Sequence, residues 1–223
     1  MSQSLRRGLE LLATMDSDHT DAGNGVVKDF SGAERHLLAS GGPTYGQDSP
    51  VGEAVGFDGV DDRLDTADAA SIDGATEWTI AHVCRWDGGN SGSGKYVQMH
   101  GSFSIFTNHD ATDTYKTQFS TPGGSVTVKD SGFDRENEWV AYVATFDAGV
   151  ANLTINGETA DVATTSDTSI QSSAPNELTV GQTTSGTVPY PGDIAVTAEW
   201  SRALSDAEID QFTRMTDRMV SKL

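Results

Sequence analysis

The segment AVGFDGVDDRLDT, residues 54–66, places Asp58, Asp61, Asp62 and Asp65 within eight positions, with apolar residues on either side. Carboxylates at that density serve one of three ends. A tight acidic loop can offer several of the roughly six to eight oxygens that Ca²⁺ takes. A pair of acids about 5 Å apart, or wider for inversion, can hydrolyse a glycosidic bond. A plain turn can use Asp58-Gly59 to reverse the chain while Asp61 and Asp62 accept from nearby backbone N–H groups. The turn is the preferred reading, with calcium kept as the alternative. A second acidic stretch, NHDATD (108–113), offers Asn108, Asp110 and Asp113. Its spacing is not that of a recognised calcium loop, so a solvated turn is expected there too.

Other chemistries find little to work with. No Gly-x-Ser-x-Gly elbow accompanies the serines and histidines. The five histidines are scattered without metal spacing. His82 and Cys84 share one strand face with Trp78 and Trp86, which suits a hydrogen-bonded core imidazole and a small buried thiol. Cys84 is the single cysteine, so neither an internal disulfide nor a cysteine-based metal site is available. Asn152-Leu153-Thr154 is a formal glycosylation sequon inside an expected strand and is read as unmodified. No cofactor is required by any of these residues.

The elements that must position these groups are mostly strands. WTIAHVCRW (78–86) and EWVAYVATFD (138–147) alternate cleanly. Shorter runs follow at 96–99, 103–107, 115–121, 125–129, 151–155, 177–181 and 193–200, separated by turn clusters such as DGGNSGSG and TPGG. Many short, evenly spaced strands predict an all-β sandwich or jelly roll of two antiparallel sheets. Asn156-Gly157 marks a tight hairpin. SDAE (205–208) reads as a capping box, Ser205 capping and Glu208 reaching back, before Ile209, Phe212, Met215 and Met219 at helical spacing. The expected organisation is a polar N-terminal arm (1–8), a jelly-roll domain (9–204) and a C-terminal helix (205–223).

The 223 residues carry a formal charge of −19, and Asp outnumbers Glu by about two to one. The acidity is spread over the whole chain, which predicts a protein of a salt-saturated environment, where concentrated ions screen self-repulsion. Nucleic acid is excluded as a partner, because binding phosphate needs clustered Lys and Arg. The opening MSQSLRRGLELLATMDSDHT has an apolar run too short and too polar for a secretory core, so export by the usual route is not expected. No stretch approaches a membrane span.

Five stretches in one order resemble the laminin-G-like members of the concanavalin A-like lectin/glucanase superfamily. They are VVKDFSGAERHLLASGGPTYG (26–46), VGEAVGFDGVDDRLDT (51–66), WTIAHVCRW (78–86), EWVAYVATFD with ANLTINGE (138–158), and PYPGDIAVTAEWSRALSDAEI (189–209). The resemblance implies two curved, stacked sheets and a module that binds glycans or proteins, sometimes through Ca²⁺. Metal-binding relatives carry an acid just after the isoleucine of the closing strand. Here Ala195 follows Ile194, so a metal would fall to Asp58 and Asp193. Enzymes of the superfamily carry Glu-x-Asp-x-x-Glu on a strand. The one Glu-x-Asp here, Glu208/Asp210, lies in the expected helix, and the chain is read as no enzyme. Sugar sites on such sandwiches use exposed rings and amides, and the loop-edge candidates are Tyr45, Asn90, Tyr96, Asn108, Tyr115 and Tyr190.

The resulting expectation is a virion surface protein of a haloarchaeal virus — a capsid turret, decoration protein, or fibre or spike subunit. It would assemble in the host cytoplasm, bind neighbouring virion proteins or host cell-surface glycans, and form a homo-oligomer. The arm and the Met-bearing helix are the expected docking elements. Two alternatives stand beside it, a secreted or cell-surface carbohydrate-binding module of a halophile and a glycoside hydrolase of the same superfamily.

Overall fold

The computed structural model describes residues 2–70, 72–88, 95–100, 103–110, 113–131, 135–171, 177–183 and 185–220. A four-residue helix α1 (Gln3–Arg6) precedes seven strands: β1 (Leu9–Thr14), β2 (Thr20–Asp21), β3 (Val26–Val27), β4 (Leu37–Ser40), β5 (Thr44–Ser49), β6 (Gly52–Asp58) and β7 (Arg63–Thr66). The middle of the chain holds β8 (Glu77–Trp86), β9 (Lys95–His100), β10 (Phe103–Asp110), β11 (Asp113–Thr121), β12 (Gly124–Ser131) and β13 (Trp139–Asp147). Then come β14 (Val150–Ile155), β15 (Glu158–Thr164), β16 (Leu178–Val180), β17 (Pro191–Trp200) and helix α2 (Asp206–Val220).

Among the described residues these strands make two antiparallel sheets. One runs β15-β14-β13-β8-β17-β6-β5, with β1 also on β17, and the other β12-β11-β10-β9-β16-β7-β4-β3-β2. This is the expected jelly-roll sandwich. One expected turn is narrower than its composition suggests. Asn108 and Asp110 belong to β10, and Asp110 already pairs with Asp113 across the hairpin.

The alternation read from the sequence becomes two cores. Trp78, Ile80, Cys84 and Trp86 of β8, with Val140, Tyr142, Ala144 and Phe146 of β13, point between the sheets. The opposite faces carry smaller residues, Ala81, Val83 and Val143, joined by Ala54, Ala195 and Ala198. Their size lets α2 lie close on the outer face of the first sheet, where Ile209 and Phe212 close over Trp200, Leu204 and Leu5. The rings of Trp200 and Phe212 meet edge-on, with centroids 6.1 Å apart. Each such burial contributes roughly 1.5–3 kcal/mol.

Helix α1 and the first half of α2 are therefore packed into the body, through Leu5 on one side and Ile209 and Phe212 on the other. Leu5 is fully buried, and the Trp200 indole N–H donates to its carbonyl at 2.7 Å. Arg202 donates to the Arg7 carbonyl (2.7 Å), the Ser4 carbonyl (2.8 Å) and both oxygens of Glu208 (2.8 Å each). The capping box forms by half. Glu208 accepts the Ser205 N–H, but the Ser205 hydroxyl donates to that carboxylate instead of accepting from the helix. The hairpin forms as expected, with Asn156 (φ 53°) and Gly157 (φ 84°) both left-handed. The Asn156 side-chain oxygen accepts the Ala141 N–H at 2.8 Å and bolts the turn to β13.

Candidate functional site

The acidic turn between β6 and β7 is held by its own backbone. Asp62 accepts the Asp58 N–H at 2.9 Å, and Asp58 accepts the Val60 N–H at 2.8 Å. The Gln182 side-chain amide donates to the Asp61 carbonyl at 3.2 Å. Asp58 and Asp62, not Asp61, thus carry the local side-chain bonds. Gly59 is left-handed (φ 75°) and sits on Pro191, where a Cβ would meet the proline ring at 2.9 Å. Asp58, Asp61 and Asp62 each bring an oxygen within 4.8 Å of the others. Burial pushes the Asp62 carboxyl up, the Asp58 N–H pulls it back, and the charges of Asp58 and Asp61 push it further up. The three could offer three of the roughly six to eight oxygens of a Ca²⁺ shell. Asp193 does not join them. It is buried on the outer face of the first sheet, paired with Arg85, whose guanidinium lies over the Trp139 ring at 5.5 Å. Burial raises its carboxyl and Arg85 opposes that shift. The carboxylate oxygens that come within 4.8 Å of one another are those of Asp58, Asp61 and Asp62, and Asp193 of the expected Asp58–Asp193 pair is not among them.

The expected sugar-stacking rings are mostly interior. Tyr115 and Tyr190 are fully buried between the sheets, so neither can face a ligand. The Cys84 thiol donates to the Tyr115 hydroxyl at 3.9 Å. Burial drives the Cys84 thiol up to about 12 and carries Tyr115 and Tyr190 well above the usual phenol range. Tyr45 on β5 is half-buried and packs against the inter-sheet core, with its hydroxyl enclosed. Asn90 and the side chains of Tyr96 and Asn108 lie outside the described residues.

A concave surface appears elsewhere, and topology produces it. The edge of β17 is shared by two strands. Pro191–Ile194 pair with β6, and Val196–Trp200 pair with β1. The register slips between Ile194 and Val196, where Ala195 is the odd residue. At this junction β1 has just ended at Thr14 and β6 is just starting at Gly52, so the sheet edge is notched. The α2 helix passes over the notch.

Two adjoining basins occupy it, sharing Leu12, Thr14 and His19. The first, about 320 Å³, has walls of Leu12, Val51, Ala195, Val196, Phe212 and Met215, with Asp16 and Glu53 at its polar end. The second, about 450 Å³, is lined by Arg6, Leu9, Phe30 and Ser31 beside the shared residues. Phe30 is 46% exposed, and its ring leans on the His19 imidazole at 4.4 Å. Its backbone N–H donates to the Leu12 carbonyl at 2.8 Å, which fixes the ring over β1. The Thr14 hydroxyl and His19 Nδ1 share a 2.6 Å hydrogen bond, so Nε2 is the ring nitrogen left for a ligand. Behind them Asp29 accepts from the Leu12, Ser31 and Arg35 N–H groups and the Ser31 hydroxyl, and anchors the Phe30 turn to β1.

Sequence reasoning missed Phe30, His19, Asp16 and Glu53. One local signal was available, since Phe30 stands alone in KDFSG, among turn residues and outside any alternating run. The Glu208/Asp210 pair is otherwise engaged. Both oxygens of Glu208 are held by Arg202, and Asp210 pairs with Arg214 at 3.1 Å. Among the described residues no helix is long and apolar enough to cross a membrane.

Residues 58–210 match the family model described as laminin-G type, concanavalin A-like lectin/glucanases superfamily. No curated protein sequence matches. Among solved structures, the chain is similar to the binding domain of Paraclostridial Mosquitocidal Protein 1 (TM-score 0.73, 15% identity, 94% of this chain and 52% of that one). It is similar to the binding domain of botulinum neurotoxin DC in complex with SialylT (TM-score 0.73, 13% identity, 96% and 52%). It is also similar to domain 4 of AbnA, an extracellular arabinanase from Geobacillus stearothermophilus, in complex with arabinotriose (TM-score 0.67, 13% identity, 92% and 98%). The chain spans about half the length of the two toxin domains, and at these identities the likeness shows the fold.

Proposed function

The chain belongs to this laminin-G-type family of the concanavalin A-like lectin/glucanases superfamily, and from that premise we propose that it is a non-enzymatic recognition module whose Phe30 basin binds a glycan. The observation that carries the reading is Phe30 itself, an exposed ring fixed beside the polar tips of His19, Thr14 and Ser31. A pyranose or furanose can lay its C–H face on such a ring while its hydroxyls reach the imidazole and hydroxyl groups. Solved relatives in complex with an oligosaccharide lend support, arabinotriose in one case.

The acidic composition supports work in concentrated salt. Within that setting the module is a surface component of a haloarchaeal virus particle, repeated as a homo-oligomer and contacting neighbouring virion proteins or host glycans. Mass spectrometry of purified particles tests this placement, and a chain missing from them ends it. A glycan array at molar KCl tests the binding. Phe30→Ala is expected to weaken the best-bound sugar roughly three- to tenfold. Unchanged affinity, or no sugar bound by the parent protein, refutes the site.

A further inference from the structure

The apolar basin next to the Phe30 site has a different chemistry. Most of its wall is apolar, from Leu12, Val51, Val196, Phe212 and Met215, and Thr14 and His19 also line it. Phe30 and Ser31 do not line it, so it offers no exposed ring for a sugar to stack on. Its polar end is made of two carboxylates, each oriented by the backbone. Glu53 accepts the Ser17 N–H with one oxygen (2.8 Å), and Asp16 accepts the Asp18 N–H with one of its own (3.0 Å). The other oxygen of each has no partner among the described residues, and no described Lys or Arg forms an ion pair with either acid. Two carboxylates that line one basin without an ion-pair partner among the described residues favour a cation beside them. A greasy channel ending in two acids matches a long methylene stem ending in a positive charge.

We propose that this basin receives a lysine or arginine side chain from a partner protein. The stem lies along Val51, Val196 and Met215, and the charged end meets Asp16 and Glu53. The basin is open to one side, which leaves room for the partner's backbone to cross the notch. The two basins share Leu12, Thr14 and His19, but this proposal rests on Asp16 and Glu53, which line only this one, and needs nothing from Phe30.

The test titrates the full-length protein with N-acetyl-lysine methylamide, followed by NMR at low and at molar KCl. Shifts are expected at Val51, Val196 and Met215. The norleucine and ε-acetyl-lysine counterparts should bind about tenfold more weakly. The double variant Asp16→Asn with Glu53→Gln keeps an acceptor for each backbone N–H and should lose about tenfold in lysine affinity. Met215→Lys supplies an amine from the chain itself and should abolish probe binding without touching either acid. Phe30→Ala should change nothing here. Molar KCl should weaken the lysine probe and leave the norleucine probe alone. Equal binding of lysine and norleucine overturns the proposal, as does full lysine affinity in the double variant. Tighter binding of glucosamine than of the lysine probe also overturns it, in favour of an amino sugar.

Discussion

Removing the charge of Glu208 should loosen both chain ends and the wall of the notch together. Glu208 and Arg202 are only 15% and 10% exposed in their side chains and meet through two 2.8 Å bonds. The Arg202 guanidinium, helped by the Ser205 N–H and hydroxyl, holds the Glu208 carboxyl at about 2, against 4.5 for a free one. The folded value lies below the unfolded one. The pair's stabilisation is therefore fully present above about pH 4.5 and fades as the pH falls towards 2. That depression has a ceiling of roughly 3 kcal/mol at neutral pH. Glu208→Gln keeps the shape and an acceptor oxygen, so a cost of about 2–3 kcal/mol is expected. For a chain of this size that is a drop in melting temperature of roughly 4–12 °C. The assay is paired thermal melts at pH 7 and at steps down to pH 2, at one fixed KCl concentration. The gap between parent and variant should be widest at pH 7 and close by pH 2. Hydrogen exchange should show α1 and the start of α2 opening first in the variant. A gap that does not narrow with acid would refute an origin in the Glu208 charge.

Three further outcomes follow from the same geometry. Asp29→Ala removes the acceptor of four hydrogen bonds and should cost about 3–4 kcal/mol in denaturant unfolding; it should also abolish whatever the Phe30 turn binds. Asn156→Ala forces alanine into φ 53° and strips the acceptor from the Ala141 N–H, for about 2 kcal/mol by thermal melt, whereas Asn156→Gly should recover the strain component. Raising KCl from low to molar concentration should raise the melting temperature steeply through screening of the −19 charge, and a flat response would contradict the salt-adapted reading.

The sandwich was legible because its central strands alternate large inward residues with small outward ones. Trp78, Ile80 and Cys84 facing Val140, Tyr142 and Ala144 needed no tertiary information. The helix was legible from Ile209, Phe212 and Met215. The tyrosines misled because Tyr115 and Tyr190 sit in polar, turn-rich text, DTYKT and VPYPG, that resembles a loop rim. The correcting signal was the period of two along β11, where Tyr115, Thr117 and Phe119 are all fully buried. Asp193 misled because strand position alone does not say that Arg85 lies directly across on β8. The notch was not legible at all. Asp16, His19, Phe30, Glu53 and Met215 come from four separate segments, the Asp16–His19 turn, the Phe30 turn, the start of β6 and α2; the Phe30 turn is tied to β1 by backbone bonds, and the sharing of β17 by β6 and β1 brings Glu53 beside Asp16.

That origin separates the existence of the notch from its chemistry. The gap arises wherever one edge of a strand is handed from β6 to β1 and the register slips, as it does at Ala195. No lining side chain is needed to create it. Phe212, at 3% exposure, belongs to the second core and cannot change freely. Met215, Glu53, Asp16 and Phe30 are each at least partly exposed, and of the four Met215 packs against the second core from its rim. Ligand preference can therefore shift through those four positions while the sandwich stays intact. Val51→Asp makes the distinction measurable. It adds a third acid to a half-buried wall, so it should alter probe binding in the apolar basin while the melting temperature moves by a few degrees. A collapse of the fold would mean that the notch is part of the core, and the division between scaffold and site drawn from β17 would be wrong.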